Sequence, residues 1–494
     1  MNRVKNAVST VPFFLLIVPL YYLLHLLVEF YPLFTISYLF STVSLFYILS
    51  GLIFFMLSVK GNFKGTAIWL FLVQFFYFYF GPIKSFIAFF SASLARYTFI
   101  IPVIILGVLF AFYWLKKAKE TLTESIYLYL NILITAFMIL DLFGILANRL
   151  VSTPPKAKYI ADSQAPDIFF LIFDGYTGSE TLKSHWNFDN SVIDSFFTKN
   201  AFYVARHSKS NYNSTPISIS SIFNMGYYQK LGGNRLDYQL FCQAAAEIQH
   251  SYVPAYFQHA GYRFLNQSIF KIDGTNQPPG STAYLDDNKK FIQFQTLGYR
   301  LVKDIGYHFK IPGWLFNFYL ESNGDKLARM KKYLAQTRQL YNEVKNVASG
   351  RYNKPIFVYT HFLLPHDPYY FDSTGMLQPA SEWMPDKADE QAAKYLSQLK
   401  YTNKWIMDLA SHILKTSSRP RIIIIQSDHG YRAYQEGSDP MLEFKNLNAI
   451  YFPDKDYQQL YDSISSVNTF RVILKKYFNE NLPLLNDSTV YLRH

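Results

Sequence analysis

The sequence predicts an N-terminal transmembrane helical bundle followed by an α/β domain whose mostly parallel sheet is covered by helices. Three observations predict it. Residues 1–150 are almost continuously apolar. Beyond them come three short runs rich in β-branched and aromatic residues, each ending in polar side chains. Between these runs lie long helical patterns, and strands alternating with helices argue for a parallel sheet. The 494 residues suffice for more than one domain. The composition shift divides them into a membrane part over 1–150, a polar linker over 151–166 carrying Pro154-Pro155, and a globular domain over 167–494.

Five apolar segments, at roughly 10–31, 35–58, 66–90, 98–115 and 125–147, each approach the ~20 residues that cross a bilayer. Gly81-Pro82 and Lys84 interrupt the third, which predicts a kink there and an interfacial stretch over 85–94. Arg3 and Lys5, Lys60 and Lys64, and Lys116, Lys117 and Lys119 all fall on one side, which the positive-inside rule makes cytoplasmic. An odd number of crossings then puts everything after about 150 outside the cytoplasm. Asp141, inside the fifth segment, is costly in lipid and needs either a polar interhelical contact or access to the interface.

The net charge of +12 suits a protein facing anionic lipid head groups. No dense Lys/Arg run marks a nucleic-acid reader, so nucleic acid is not an expected partner. The single cysteine, Cys242, excludes an internal disulfide and a cysteine-based zinc site; it reads as a small buried hydrophobe.

In the second part, DIFFLIF (167–173) ends at Asp174-Gly175, PIFVYT (355–360) at His361, and RIIIIQ (421–426) at Ser427-Asp428-His429-Gly430. Each run is too short for a helix and fits a strand buried on both faces. YRFLN (262–266) and NAIYF (448–452) are further strand candidates, and 326–348 and 388–416 are helical patterns. In open α/β sheets ligands bind beyond the carboxyl ends of the strands. Asp174, His361, His366, Asp428 and His429 all fall at or just after such ends.

Asp174, Asp428 and His429 form an oxygen–oxygen–nitrogen set that suits one divalent metal ion: zinc or manganese, with magnesium also fitting. Thr215-Pro216, within SNYNSTPISISSIF (210–223), has the form of a helix N-cap followed by proline at the first helical position. A hydroxyl at a helix N-terminus sits where anions are favoured, and metal coordination would activate it as a nucleophile. Ser214, Ser218 and Ser220 are the alternatives, and Asn213-Ser214-Thr215 also matches a glycosylation sequon. His361 and His366 flank a proline-marked turn in THFLLPHDPYY (360–370) and can donate a proton or hold a phosphoryl oxygen. Arg432 can hold an anionic oxygen.

An apolar strand ending in an acid, a Thr opening a helix, H-x-x-x-x-H-x-P, and a strand ending in S-D-H-G follow one another in this order. That order resembles the alkaline phosphatase superfamily, in its sulfatase-like branch. Five membrane helices ahead of an external domain resemble the membrane-anchored phosphoethanolamine transferases and lipoteichoic acid synthases. The resemblance implies Asp174, Asp428 and His429 as metal ligands and Thr215 as the metal-bound nucleophile. It also implies substrate or acid roles for His366 and His361, and a transferase-type T-x-x-S spacing to Ser218.

Two departures narrow it. Ser214-Thr215-Pro216-Ile217-Ser218 lacks the arginine of the formylglycine motif, and Cys242 is not in such a motif, so formylglycine sulfatase chemistry is not expected. No further histidine follows His429 before 448, which favours one metal over two.

The expectation is a metal-dependent transferase in the plasma (inner) membrane with a periplasmic or extracellular catalytic domain. It would move a phosphoryl-linked head group from a lipid donor to an envelope lipid or glycan acceptor through a threonine adduct. The alternatives are a phosphoester or sulfoester hydrolase of the same fold and a non-catalytic glycan-binding relative.

Overall fold

The computed structural model describes residues 11–30, 47, 50–52, 55, 63–151, 160–162, 164–229, 236, 238–276, 293–308, 312, 322–416, 419–432 and 439–493. The chain forms two compact units. The first comprises Met1–Ser152 together with Leu285–Asn323; the second comprises Thr153–Tyr284 and Gly324–His494.

The first unit is helical: Phe13–Phe30, Phe63–Phe78, Phe80–Phe90, Tyr97–Lys117 and Glu120–Val151, with Leu297–Ile305 added from the later segment. Among the described residues, two helices are long and apolar enough to cross a membrane, or three if the pair Phe63–Phe78 and Phe80–Phe90, bent by 69°, is one broken span. The expected segment at 35–58 lies largely outside the described residues. The third segment breaks at Tyr79, just ahead of the expected Gly81-Pro82. That places Pro82 in the first turn of the new helix, where its missing N–H costs nothing. Asp141 finds an interhelical partner: its Oδ2 lies 3.0 Å from His25 Nδ1. Asn131 serves the start of the first helix twice, accepting from Phe14 N and donating to the Val11 carbonyl, each at 3.0 Å.

The second unit is built on a six-stranded sheet of order β2-β6-β5-β1-β4-β3. The strands are β1 Asp167–Phe173, β2 Tyr203–Val204, β3 Arg263–Gln267, β4 Ile356–Phe362, β5 Arg421–Gln426 and β6 Asn448–Tyr451. Strands β3, β4, β1 and β5 are parallel; β6 runs antiparallel to β5, and the two-residue β2 at the edge runs antiparallel to β6. Every residue of β1 and β4 is buried, as continuous apolar runs require. Alternate side chains serve opposite faces. Phe169, Leu171 and Phe173 join Leu340, Trp405, Ile406 and Leu409 in one core, under the helices Asn323–Ser349 and Ala388–Thr416. Phe170 faces the other way, against Phe223 and Phe470 at ring separations of 5.8 and 5.0 Å. Phe223 belongs to the helix Thr215–Asn224, so that helix is pinned to the sheet from which the site is built.

Candidate active site

Strand register sets the site. Ile172 pairs with Gln426 on β5 and with His361 on β4. Asp174 and Asp428, each two residues further on, therefore leave adjacent parallel strands at the same level. Gly175 turns the chain immediately, with φ +69°, a conformation that favours glycine. Its N–H donates to Asp428 Oδ1 at 3.3 Å and ties the two strand ends together. Gly430 has a different reason to be glycine: a Cβ there would lie 2.1 Å from the Leu442 carbonyl oxygen.

Around this point the buried side chains offer acceptors to one another. His429 Nδ1 donates to the Gly430 carbonyl at 2.6 Å, which leaves Nε2 as a lone pair. That Nε2 lies 3.2 Å from Asp174 Oδ1, 3.5 Å from Asp428 Oδ2 and 3.3 Å from Thr215 Oγ1. His361 Nε2 lies 3.5 Å from Asp174 Oδ2, and its Nδ1 meets the Tyr359 hydroxyl at 3.0 Å. Asp174 Oδ1, Asp428 Oδ2 and His361 Nε2 are buried without a hydrogen-bond partner. Unpartnered buried polar atoms are rare and costly, and a positive charge among them would satisfy all three. Two groups have ligand atoms within 4.8 Å of one another: Asp174, His361 and Asp428, and Asp174, His366 and His429. The donor set thus fits a divalent cation on its own geometry.

Burial raises the Asp174 pKa, but the charge of His366 and the neighbouring rings of His361 and His429 outweigh it and hold the carboxyl well below its usual range.

Thr215 is the first residue of its helix, and Ser214, in extended conformation, takes the N-cap position expected for Thr215. Neither side chain caps; the Ser214 hydroxyl is buried without a partner. The threonine hydroxyl is thus spared from helix capping and points at His429. Ser218 lies one turn along, and its hydroxyl donates to the Asp428 carbonyl at 2.6 Å, bracing the strand end. Ser220 turns to Glu247. Asn213 is fully buried, donates to Glu443 Oε2 at 2.7 Å and to the Leu492 carbonyl at 3.0 Å, and so cannot carry a glycan in the folded chain.

His366 and Arg432 form a second, more open part of the site. Burial works against the His366 imidazolium, but the carboxylates of Asp367 and Asp174 prevail and push its pKa up to about 10. Arg432 Nη2 lies 2.6 Å from His366 Nε2, a hydrogen bond only if that nitrogen is unprotonated. The acids thus favour a charged ring where the guanidinium requires a neutral one. An anionic oxygen between the two resolves the conflict, because both could then donate to it.

Sequence reasoning missed three supports. Asp367 contacts His366 Nδ1 directly. Glu443 reaches the loop before Thr215 through Asn213. Tyr395 donates from its hydroxyl to the Gly175 carbonyl at 2.8 Å. Only the first had a local signal, as the neighbour of a candidate histidine. Cys242 is buried, as its composition reading expected.

Residues 187–471 match the sulfatase family profile. No curated protein sequence matches the chain. Several solved structures are similar. The C-terminal periplasmic domain of EptC from Escherichia coli, in complex with Zn, is 10% identical with TM-score 0.41, over 66% of this chain and 86% of that one. The integral membrane lipooligosaccharide phosphoethanolamine transferase A from Neisseria meningitidis is 13% identical with TM-score 0.37, over 97% and 96%. The phosphonate monoester hydrolase of Agrobacterium radiobacter is 12% identical with TM-score 0.39, over 63% and 73%. With the family profile spanning more than half of its length and the strand-end cluster in place, this chain belongs to the sulfatase family of the alkaline phosphatase superfamily and is an enzyme of that family.

Proposed function

We propose that the protein is a membrane-anchored, metal-dependent transferase. It would take a phosphoryl-linked head group from a lipid donor onto Thr215 and pass it to a hydroxyl of an envelope lipid or glycan. The observation that carries this reading is the Thr215 hydroxyl, buried, free of capping and 3.3 Å from His429 Nε2, beside three unpartnered ligand atoms. One divalent cation would be held by Asp174, Asp428, His429 and Thr215; it would supply the positive charge that lets a threonine hydroxyl ionise near neutral pH. For His361, a substrate-binding or acid candidate by sequence, full burial and its distance from Asp174 favour a place beside the ligands.

The remaining chemistry belongs to the chain's own groups. The helix N-terminus at Thr215 presents backbone N–H groups to an anion. Arg432 and His366 would hold the phosphoryl oxygens, and His366, half-buried at the open side, would give a proton to the leaving oxygen. Thr215 then carries the phosphoryl group until an acceptor hydroxyl displaces it. The basic segments at one end of the helices support a cytoplasmic placement for those loops and an extracytoplasmic placement for the catalytic unit, in the plasma (inner) membrane.

The test is to supply an isotopically labelled head-group donor to the purified full-length protein with and without an alcohol acceptor. A transferase gives labelled acceptor in preference to the free phosphorylated head group. Equal release of the free head group with and without acceptor would make it a hydrolase.

A further inference from the structure

The N-terminal unit holds its own cluster of buried polar groups. Where the helix Phe63–Phe78 bends into Phe80–Phe90, Gly81 N donates to the Gln295 carbonyl at 2.8 Å. A Cβ on Gly81 would lie 1.8 Å from Gln295 Oε1, so the bend and the later segment meet at glycine. From this point the helix Leu297–Ile305 starts at Thr296, whose hydroxyl accepts from Tyr299 N at 3.4 Å. It brings Arg300 into the unit half-buried.

Arg300 has little to hold. Its Nη2 reaches Gln295 Oε1 only at 3.5 Å, and its Nε is buried with no partner. Among the described residues no carboxylate lies within ion-pair distance of it. Asp304, one turn on, is already engaged by the Tyr97 hydroxyl and by Lys84 Nζ at 3.8 Å. Lys84 also lies 4.5 Å from the centre of the Tyr97 ring. Tyr79, at the bend, packs edge-on to Tyr22 at 5.6 Å and has a buried hydroxyl without a partner. Gln293 and Gln74 in the same unit also bury amide oxygens without a partner, so what Arg300 lacks is a counter-charge rather than a neutral acceptor.

A cation without a counter-ion in an apolar bundle is costly. The anion abundant around membrane helices is the phosphodiester of a phospholipid, whose oxygens match the guanidinium fork. We propose that Arg300 binds the phosphodiester of a phospholipid head group. The site rests on the N-terminal helices lying in a membrane, not on the chemistry assigned to Thr215.

The test titrates full-length protein in detergent with dihexanoyl phosphatidylglycerol, followed by intrinsic fluorescence. Dihexanoylglycerol and inorganic phosphate serve as the two separate halves of the ligand. The phospholipid should saturate the wild type, while Arg300→Gln weakens binding about tenfold or more, as loss of a charged hydrogen bond implies. Arg300→Lys, which keeps the charge but not the guanidinium fork, should weaken it severalfold. Neither half-ligand should compete at equal concentration. Unchanged affinity in Arg300→Gln overturns the proposal, as does displacement of the lipid by inorganic phosphate, which would mark a free-anion site. If Arg300→Gln fails to fold, unchanged affinity in Arg300→Lys overturns it.

Discussion

Replacing Asp428 by Asn should change the sign of its effect on stability when metal is withdrawn. The carboxylates of Asp174 and Asp428 offer oxygens within 4.8 Å of one another. At an effective dielectric constant of about 20, two unit charges at that separation repel by about 3 kcal/mol. The Asp428→Asn substitution removes the repulsion, keeps the shape, and keeps an amide oxygen to accept from Gly175 N. In chelator, then, the variant should be as stable as the wild type or slightly more so. With metal the order reverses. A cation at about one hundred times its Kd stabilises the wild type by about 2.7 kcal/mol. A variant that has lost that affinity forgoes it, a deficit of roughly 4–5 °C in the unfolding midpoint. The assay is thermal unfolding of both proteins in detergent, with zinc or manganese and with chelator. An equal deficit for Asp428→Asn in metal and in chelator would refute the reasoning, because the carboxylate would then be a structural group rather than a ligand.

Thr215→Ala should abolish turnover, with a loss of roughly a thousandfold or about 4 kcal/mol of transition-state stabilisation, while leaving the fold intact because Ser214 holds the N-cap position; Thr215→Ser should keep partial activity. Binding of an anionic phosphoester inhibitor should weaken as pH rises toward about 10, where His366 loses its proton. The sign follows from a folded pKa of about 10: the imidazolium that holds the anion is intact well below that pH and is lost on passing it. In His366→Gln that step should vanish; a step that persists would assign the titration to another group. Protease added to intact spheroplasts should digest the catalytic unit, and its full protection would reverse the topology.

Much of the site was legible because buried strands end abruptly. A run such as RIIIIQ has no polar residue between Arg421 and Gln426, so Asp428 and His429 mark a strand end in the sequence itself. The same holds for Asp174 after DIFFLIF. Their common level was not legible, because it depends on the register of β1 against β5, and register is a long-range property. The two-residue β2 carries too little pattern to be seen. Thr215 and Ser214 differ by one position at a helix start, where serine and threonine are both good caps. Ser218 shows why a motif does not fix a role: its hydroxyl goes to the Asp428 carbonyl, 210 residues away. The grouping of Leu285–Asn323 with the N-terminal helices had no signal either, since Leu297–Ile305 reads as an ordinary amphipathic helix.

The central claim is that Thr215 carries the transferred group. Full-length protein incubated with native membranes, quenched and digested, should yield a Thr215 peptide heavier by a phosphoryl-linked head group, and the added mass should disappear once an acceptor hydroxyl is supplied. Turnover with that peptide unmodified, or with the adduct on Ser214, would contradict the account.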